Sequence, residues 1–262
     1  MQWKIPFEGV PTDYVVSEPE GCIGFRTTDG RLVNGDTYRA QLAINAIMGA
    51  GLRPDQVRNG PRKLFFEIGA GYGSTAYHLS QVYKNVTCII LDLPETLIFS
   101  GCYLSMLNPE RTYIYTPEQP LDQILQPAKL AQYDFVLVPN YRLDVLKTSQ
   151  FDAVINVASL QEMRTDQVEE YLDAIQKTCK GFFYCYNQDH QPRNSELRNL
   201  TDLLKARFDV QDIAIPKRQH SQRNIRVQIR ERLRQAAIAM GLANPHEMDL
   251  PYRLCICRLR NR

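Results

Sequence analysis

What is missing from this chain narrows it first. No stretch of its 262 residues approaches about 20 uninterrupted apolar positions, so no transmembrane helix is expected. The start, MQWKIPFEGVPTDY, has neither a basic opening followed by an apolar run nor a small-residue cleavage site. A secretory signal is therefore not expected, and a cytoplasmic protein is. None of the seven cysteines forms a C-x-x-C pair, so paired zinc ligands are lacking and no metal site is expected. Their odd count and apolar surroundings, VTCII and YRLCICRL among them, suit buried reduced thiols. No internal repeat or low-complexity segment is present.

Charge of either sign is also scarce in sum, at a net +2, but it is unevenly spread. Residues 216–262 hold 11 Lys+Arg against 3 Asp+Glu. Such a segment suits phosphates on a substrate, a nucleic acid, an anionic membrane surface, or simply a solvated helix face. Its arginines lack interleaved aromatics on which bases would stack, which disfavours nucleic acid.

What is present is an alternation. After an irregular stretch over residues 1–33, helical spacing begins near DTYRAQLAINAIMGAGL, with Asp36 as the expected cap. Strands are expected at 63–69, 86–93, 112–116, 134–140, 151–159, 181–187, 209–215 and 252–260. Helices are expected at 74–83, 95–107, 166–179, 195–208 and about 221–240. Strands apolar on both faces, alternating with helices, describe an α/β domain whose mostly parallel sheet is covered on both faces. The long excursion before the last strand suits an antiparallel return. This gives an N-terminal arm and helix over residues 1–60. A main domain follows over 61–262, with a basic helical insertion at about 216–250 before the last strand.

The chemistry gathers at FFEIGAGYGSTAYHL, residues 65–79. A glycine loop between a strand and its helix faces a ligand at the carboxyl end of a sheet. Gly69 lets the chain turn, Gly71 lets the backbone come close, and Gly73 lets the helix pack on the strand. The next strand ends in Asp92, 21 residues after Gly71, where a carboxylate accepts the hydroxyls of an adenosine ribose. NAD and S-adenosylmethionine share that ribose. The loop, however, reads G-x-G-x-G, with Ser74 where a dinucleotide fingerprint has its third glycine. Glu67, two residues before the first glycine, would repel a pyrophosphate and suits a cationic ligand instead. The methyl donor is favoured.

Taken together, EIGAGYG, LDLPE and FDAVINVASLQEM resemble the motifs of class I S-adenosylmethionine-dependent methyltransferases, and within them the bacterial sugar O-methyltransferase family. The resemblance covers roughly residues 34 to 190 and leaves the basic segment outside. It implies a Rossmann-like fold with S-adenosyl-L-methionine as cofactor. It also implies that Glu67, Gly69, Gly71 and Gly73 line the methionine side. Asp92 would then hold the ribose, Leu93 would lie near the adenine, and Asn156 would help close the site.

A sugar hydroxyl is a poor nucleophile, and a base placed to take its proton would help. Glu162 is the first candidate, although SLQE also reads as a capping box with Ser159 as cap. His190, in YNQDHQP, is the second. Asn187 and Asp189 beside it would orient the substrate or bind a divalent cation, but the sequence shows no cluster of oxygen ligands. The expected partner is a sugar or glycan, with a phosphorylated one suiting the basic segment. A monomer and a homo-oligomer both stay open. The alternatives are methyl transfer to a small natural product or to RNA, a nucleotide-dependent dehydrogenase, and a scaffold that keeps the fold without catalysis.

Overall fold

A computed structural model describes residues 9–146, 150–189, 191, 193–214 and 252–260. His190 and the basic segment at 216–250, with its expected helix, lie outside the described residues. The arm carries a two-stranded antiparallel hairpin, β1 (Phe25–Arg26) and β2 (Leu32–Val33), then α1 (Gly35–Gly49) and α2 (Pro54–Arg58). The alternation then runs β3 (Lys63–Ile68), α3 (Ser74–Tyr83), β4 (Val86–Asp92), α4 (Pro94–Leu107) and β5 (Thr112–Ile114). Two short helices, α5 (Leu121–Ile124) and α6 (Pro127–Leu130), lead to β6 (Phe135–Pro139) and α7 (Leu143–Leu146). β7 (Phe151–Val157), α8 (Thr165–Thr178), β8 (Cys179–Asn187), α9 (Leu200–Arg207), β9 (Phe208–Ile213) and β10 (Arg253–Leu259) complete the described elements.

Eight strands form one sheet in the order β5-β6-β4-β3-β7-β8-β10-β9. β10 runs antiparallel to both of its neighbours, β8 and β9, and the other pairings are parallel. Successive strand residues point to opposite faces, and both faces are apolar. Phe66, Ile68, Ile89 and Leu91 pack with Val168, Leu172 and Ile175 of α8 on one side. Phe65, Cys88 and Ile90 pack with Ile44 and Ile47 of α1 and Leu79 of α3 on the other. Each fully buried aromatic or aliphatic side chain contributes about 2 kcal/mol. Helix α1 therefore covers the sheet and belongs to its core. Five of the cysteines are buried thiols, whereas Cys22 is half-buried and Cys102 is exposed.

Two helix starts differ from expectation. The cap of α1 is Asn34, not Asp36: Asn34 Oδ1 accepts from the N–H of Asp36 and of Thr37, and its own N–H donates to Thr37 Oγ1 at 3.0 Å. Asp36 is thereby left free of the capping role. Helix α9 begins at Leu200, not at residue 195, because the preceding backbone is engaged elsewhere. The carbonyl of Glu196 accepts from the N–H of Thr165, and the N–H of Arg198 donates to Thr165 Oγ1 at 2.8 Å, tying this stretch to the start of α8.

Strand β3 is flanked by β4 on one side and β7 on the other, so the winding of the sheet reverses there. Crevices in open α/β sheets form at this place, beyond the carboxyl ends of the strands.

Candidate active site

At the carboxyl ends of β3, β4 and β7 lies a cavity of about 490 Å³, a size that suits a small-molecule ligand. Glu67, Gly69, Gly71, Asp92, Leu93 and Glu162 all line it. Glu67 is the most telling. Its side chain is 2% exposed at the last turn of β3, under the N-terminus of α3. The neighbouring Thr75 hydroxyl and Ala76 N–H favour the charged carboxylate, while Oε2 has no partner. Burial, and secondarily the charge of Asp92, push its carboxyl up to about 8. A buried carboxylate oxygen left without a donor is costly unless a ligand supplies one.

The glycines have three distinct jobs. Gly69 sits at φ +69, and a Cβ there would fall on Ser159 Cβ and Oγ, so only glycine lets the loop cross the end of β7. Gly71 sits at φ +59 and donates its N–H to Asp92 Oδ2 at 3.0 Å, while Asp92 Oδ1 accepts from the Leu93 N–H at 2.8 Å. Burial raises the Asp92 carboxyl above its usual range, and these N–H donors partly offset that. Gly73 does not line the cavity. A Cβ there would lie 3.0 Å from Leu104 Cδ1 and 3.4 Å from Ser100 Cβ, so this glycine seats α3 against α4 and not, as expected, against the strand. Leu93 is 53% exposed at the rim.

Asn156, fully buried, also stays outside the cavity and ties the strand ends together. Its Nδ2 donates to the Ile68 carbonyl at 2.8 Å and to Ser159 Oγ at 2.5 Å. Ser159 Oγ in turn donates to the Ile68 carbonyl at 3.0 Å. Ser159 therefore makes no capping bond to the short 3-10 turn Leu160–Glu162, and the capping-box reading of SLQE fails. Glu162 is exposed, and its Oε1 accepts from the amides of Gln161 at 3.2 Å and Gln191 at 2.7 Å.

Asn187 and Asp189 line no part of the cavity. Asn187 is 2% exposed; it donates to Asn156 Oδ1 at 2.7 Å and accepts from the Gln161 N–H at 3.3 Å. Asp189 pairs with Arg253 Nη1 of β10 at 3.1 Å and accepts from the Thr201 hydroxyl, which binds α9 to the sheet. Among the described residues, no three His, Cys, Asp or Glu side chains are grouped to hold a metal.

The wall not foreseen comes from distant elements. Asp36 and Arg39 of α1 form an ion pair at 2.5 Å, and Tyr72 donates to Asp36 Oδ2 at 3.2 Å. Asn140 after β6, and Gln167 and Tyr171 on one face of α8, complete it. The one signal available in sequence was Tyr72 itself, a large side chain in a loop that otherwise avoids them.

Comparisons with protein-family models and with curated protein sequences find no match, so the motif resemblance to a sugar O-methyltransferase family stands on its motifs alone. Comparison with solved structures does find likenesses. The CurJ carbon methyltransferase is 10% identical, over 86% of this chain and 54% of that one, with a TM-score of 0.50. An O-methyltransferase family protein from Burkholderia thailandensis is 12% identical over 86% of this chain and 58% of that one, with a TM-score of 0.47. Human methyltransferase-like protein 13, in complex with SAH, is 12% identical over 84% and 81%, also at 0.47. The chain spans little more than half the length of the first two. At 10% identity the likeness to the CurJ carbon methyltransferase concerns the fold alone, and that fold is Rossmann-like.

Proposed function

We propose that the protein is an S-adenosylmethionine-dependent methyltransferase acting on a hydroxyl of a sugar. One observation carries the cofactor: Glu67, buried on the cavity floor with a carboxylate oxygen that has no donor. The α-ammonium of S-adenosylmethionine supplies that donor and a compensating charge. Asp92 beside it suits the ribose hydroxyls, Leu93 suits the adenine edge, and the Gly69 and Gly71 backbone leaves room for the methionine portion. A pyrophosphate would meet the Asp92 carboxylate and bring no donor or positive charge to the buried Glu67 carboxyl, which disfavours NAD.

When bound, this cofactor would supply an electrophilic methyl group to the acceptor oxygen and would leave as the neutral thioether. The chain aligns the two partners and removes one proton. Glu162, at the rim with its carboxylate steadied by two amides, is the group we assign to take the hydroxyl proton. Asn140, Gln167 and Tyr171 offer the amide and phenol groups that hydroxyls need. The three-motif resemblance supports the sugar.

Calorimetric titration with S-adenosylmethionine, S-adenosylhomocysteine and NAD, beside Glu67→Ala and Asp92→Ala, tests the cofactor. Binding of the two sulfur compounds but not NAD, weakened about tenfold or more by either change, is expected. Tight NAD binding, or affinity untouched by Glu67→Ala, would overturn the reading.

A further inference from the structure

We infer that the acceptor enters this cavity as an uncharged or amine-bearing polyhydroxylated molecule, and that Asp36 and Glu162 exclude phosphorylated ones. The inference rests on the methyl-transfer reading above. Four carboxylates line the cavity, those of Asp36, Glu67, Asp92 and Glu162, against a single guanidinium, that of Arg39. The guanidinium is already engaged, with Arg39 Nη1 2.5 Å from Asp36 Oδ1. With the cofactor in place, its ammonium meets Glu67 and its ribose meets Asp92. Asp36 and Arg39 cancel.

Glu162 is then left over. Its hydrogen-bond donors are the side-chain amides of Gln161 and Gln191, which steady the carboxylate without neutralising it. No lysine or arginine among the described residues pairs with it. A phosphate brought to this wall would meet a bare carboxylate and find no free cation among the described residues that line it, whereas phosphate sites are built from arginine, lysine and helix N-termini. Hydroxyl groups and ammonium groups are donors, and donors are what Glu162, Asp36 and the Asn140 side-chain oxygen accept. The basic segment at 216–250 had pointed to a phosphorylated acceptor; the cavity lining points the other way.

The test uses the full chain loaded with S-adenosylhomocysteine, titrated with glucose, glucosamine and glucose 6-phosphate, and with N-acetylglucosamine and its 6-phosphate. We expect at least one unphosphorylated probe to bind about tenfold or more tighter than its phosphorylated counterpart. Asp36→Asn frees the Arg39 guanidinium, and Glu162→Gln removes the uncompensated charge. Each should shrink that gap to about threefold or less while leaving the affinity for S-adenosylhomocysteine unchanged. Phosphorylated probes binding as well as their counterparts, a gap that persists in both variants, or no binding by any unphosphorylated probe would overturn the inference. Failure of S-adenosylhomocysteine itself to bind, seen before any probe is added, would instead sink the methyl-transfer reading and this inference with it.

Discussion

The N–H of Gly71 and the carboxylate of Asp92 are joined at 3.0 Å, so the glycine loop is closed onto the end of the neighbouring strand. The same carboxylate helps to raise the pKa of Glu67, one strand away. Asp92 and Glu67, the carboxyls proposed to meet the ribose and the ammonium, are therefore electrostatically linked, and substitutions at either should register at the other.

Glu67 should make the unliganded protein less stable as pH rises. Its folded pKa of about 8 lies above its ordinary 4.5, so between these values the folded state holds a proton that the unfolded chain has released. Stability contributed by that proton is fully present below 4.5 and is lost as pH climbs through 8. Glu67→Gln should remove this slope, gaining on the order of a few kcal/mol relative to wild type at pH 9 and little at pH 5. Urea melts at the two pH values check it.

Binding should show the mirror of this. A cationic ligand stabilises the Glu67 carboxylate, so occupancy expels the proton. Affinity for S-adenosylhomocysteine should rise from pH 6 to pH 8, by up to about tenfold per unit. Calorimetry in two buffers of different ionisation enthalpy should detect the released proton in wild type and none in Glu67→Gln.

Gly69→Ala should be severe for its size. The added methyl would collide with Ser159 and hold a non-glycine residue at φ +69. A loss of roughly 2 kcal/mol or more in thermal stability is expected, together with weakened cofactor binding.

A second buried carboxylate lies behind the loop. Glu18, 4% exposed, accepts from the Thr37 hydroxyl at 2.6 Å and meets His78 Nε2 at 3.2 Å. Burial alone would raise its carboxyl, but His78 and Thr37 outweigh this and hold it below the usual range. Its stability contribution is thus present at neutral pH and lost as pH falls below the ordinary 4.5. Glu18→Gln should cost about 2 kcal/mol at pH 7 by denaturant melts, with the difference from wild type narrowing near pH 4.

That Glu67, Gly69, Gly71 and Asp92 would lie together was legible in sequence because a single strand–loop–helix–strand passage supplies them, and they line one cavity. The acceptor half was not. Asp36 and Arg39 read as ordinary polar positions of an amphipathic helix, and Gln167 and Tyr171 as the half-exposed face of another. Only the packing of α1 and α8 around the strand ends brings them to one wall. Asn187 shows the opposite error. A polar residue ending a strand suits a ligand contact or a buried tie equally well, and here the amide is consumed by Asn156 and Gln161. The antiparallel last strand was readable from the long excursion before it, whereas the hairpin Phe25–Val33 is too short to leave a period.

The order of the sheet also sets an order of assembly on the ribosome. Strand β9 ends at Ile213 and its strand partner is β10, which begins at Arg253, so β9 must wait while some forty further residues are synthesised. Strands β3 to β8, whose ends line the cavity, pair among themselves and need no partner beyond Asn187. The half of the sheet whose strand ends line the cavity can therefore form on the nascent chain first, with the far edge zipped on when β10 slides between β8 and β9.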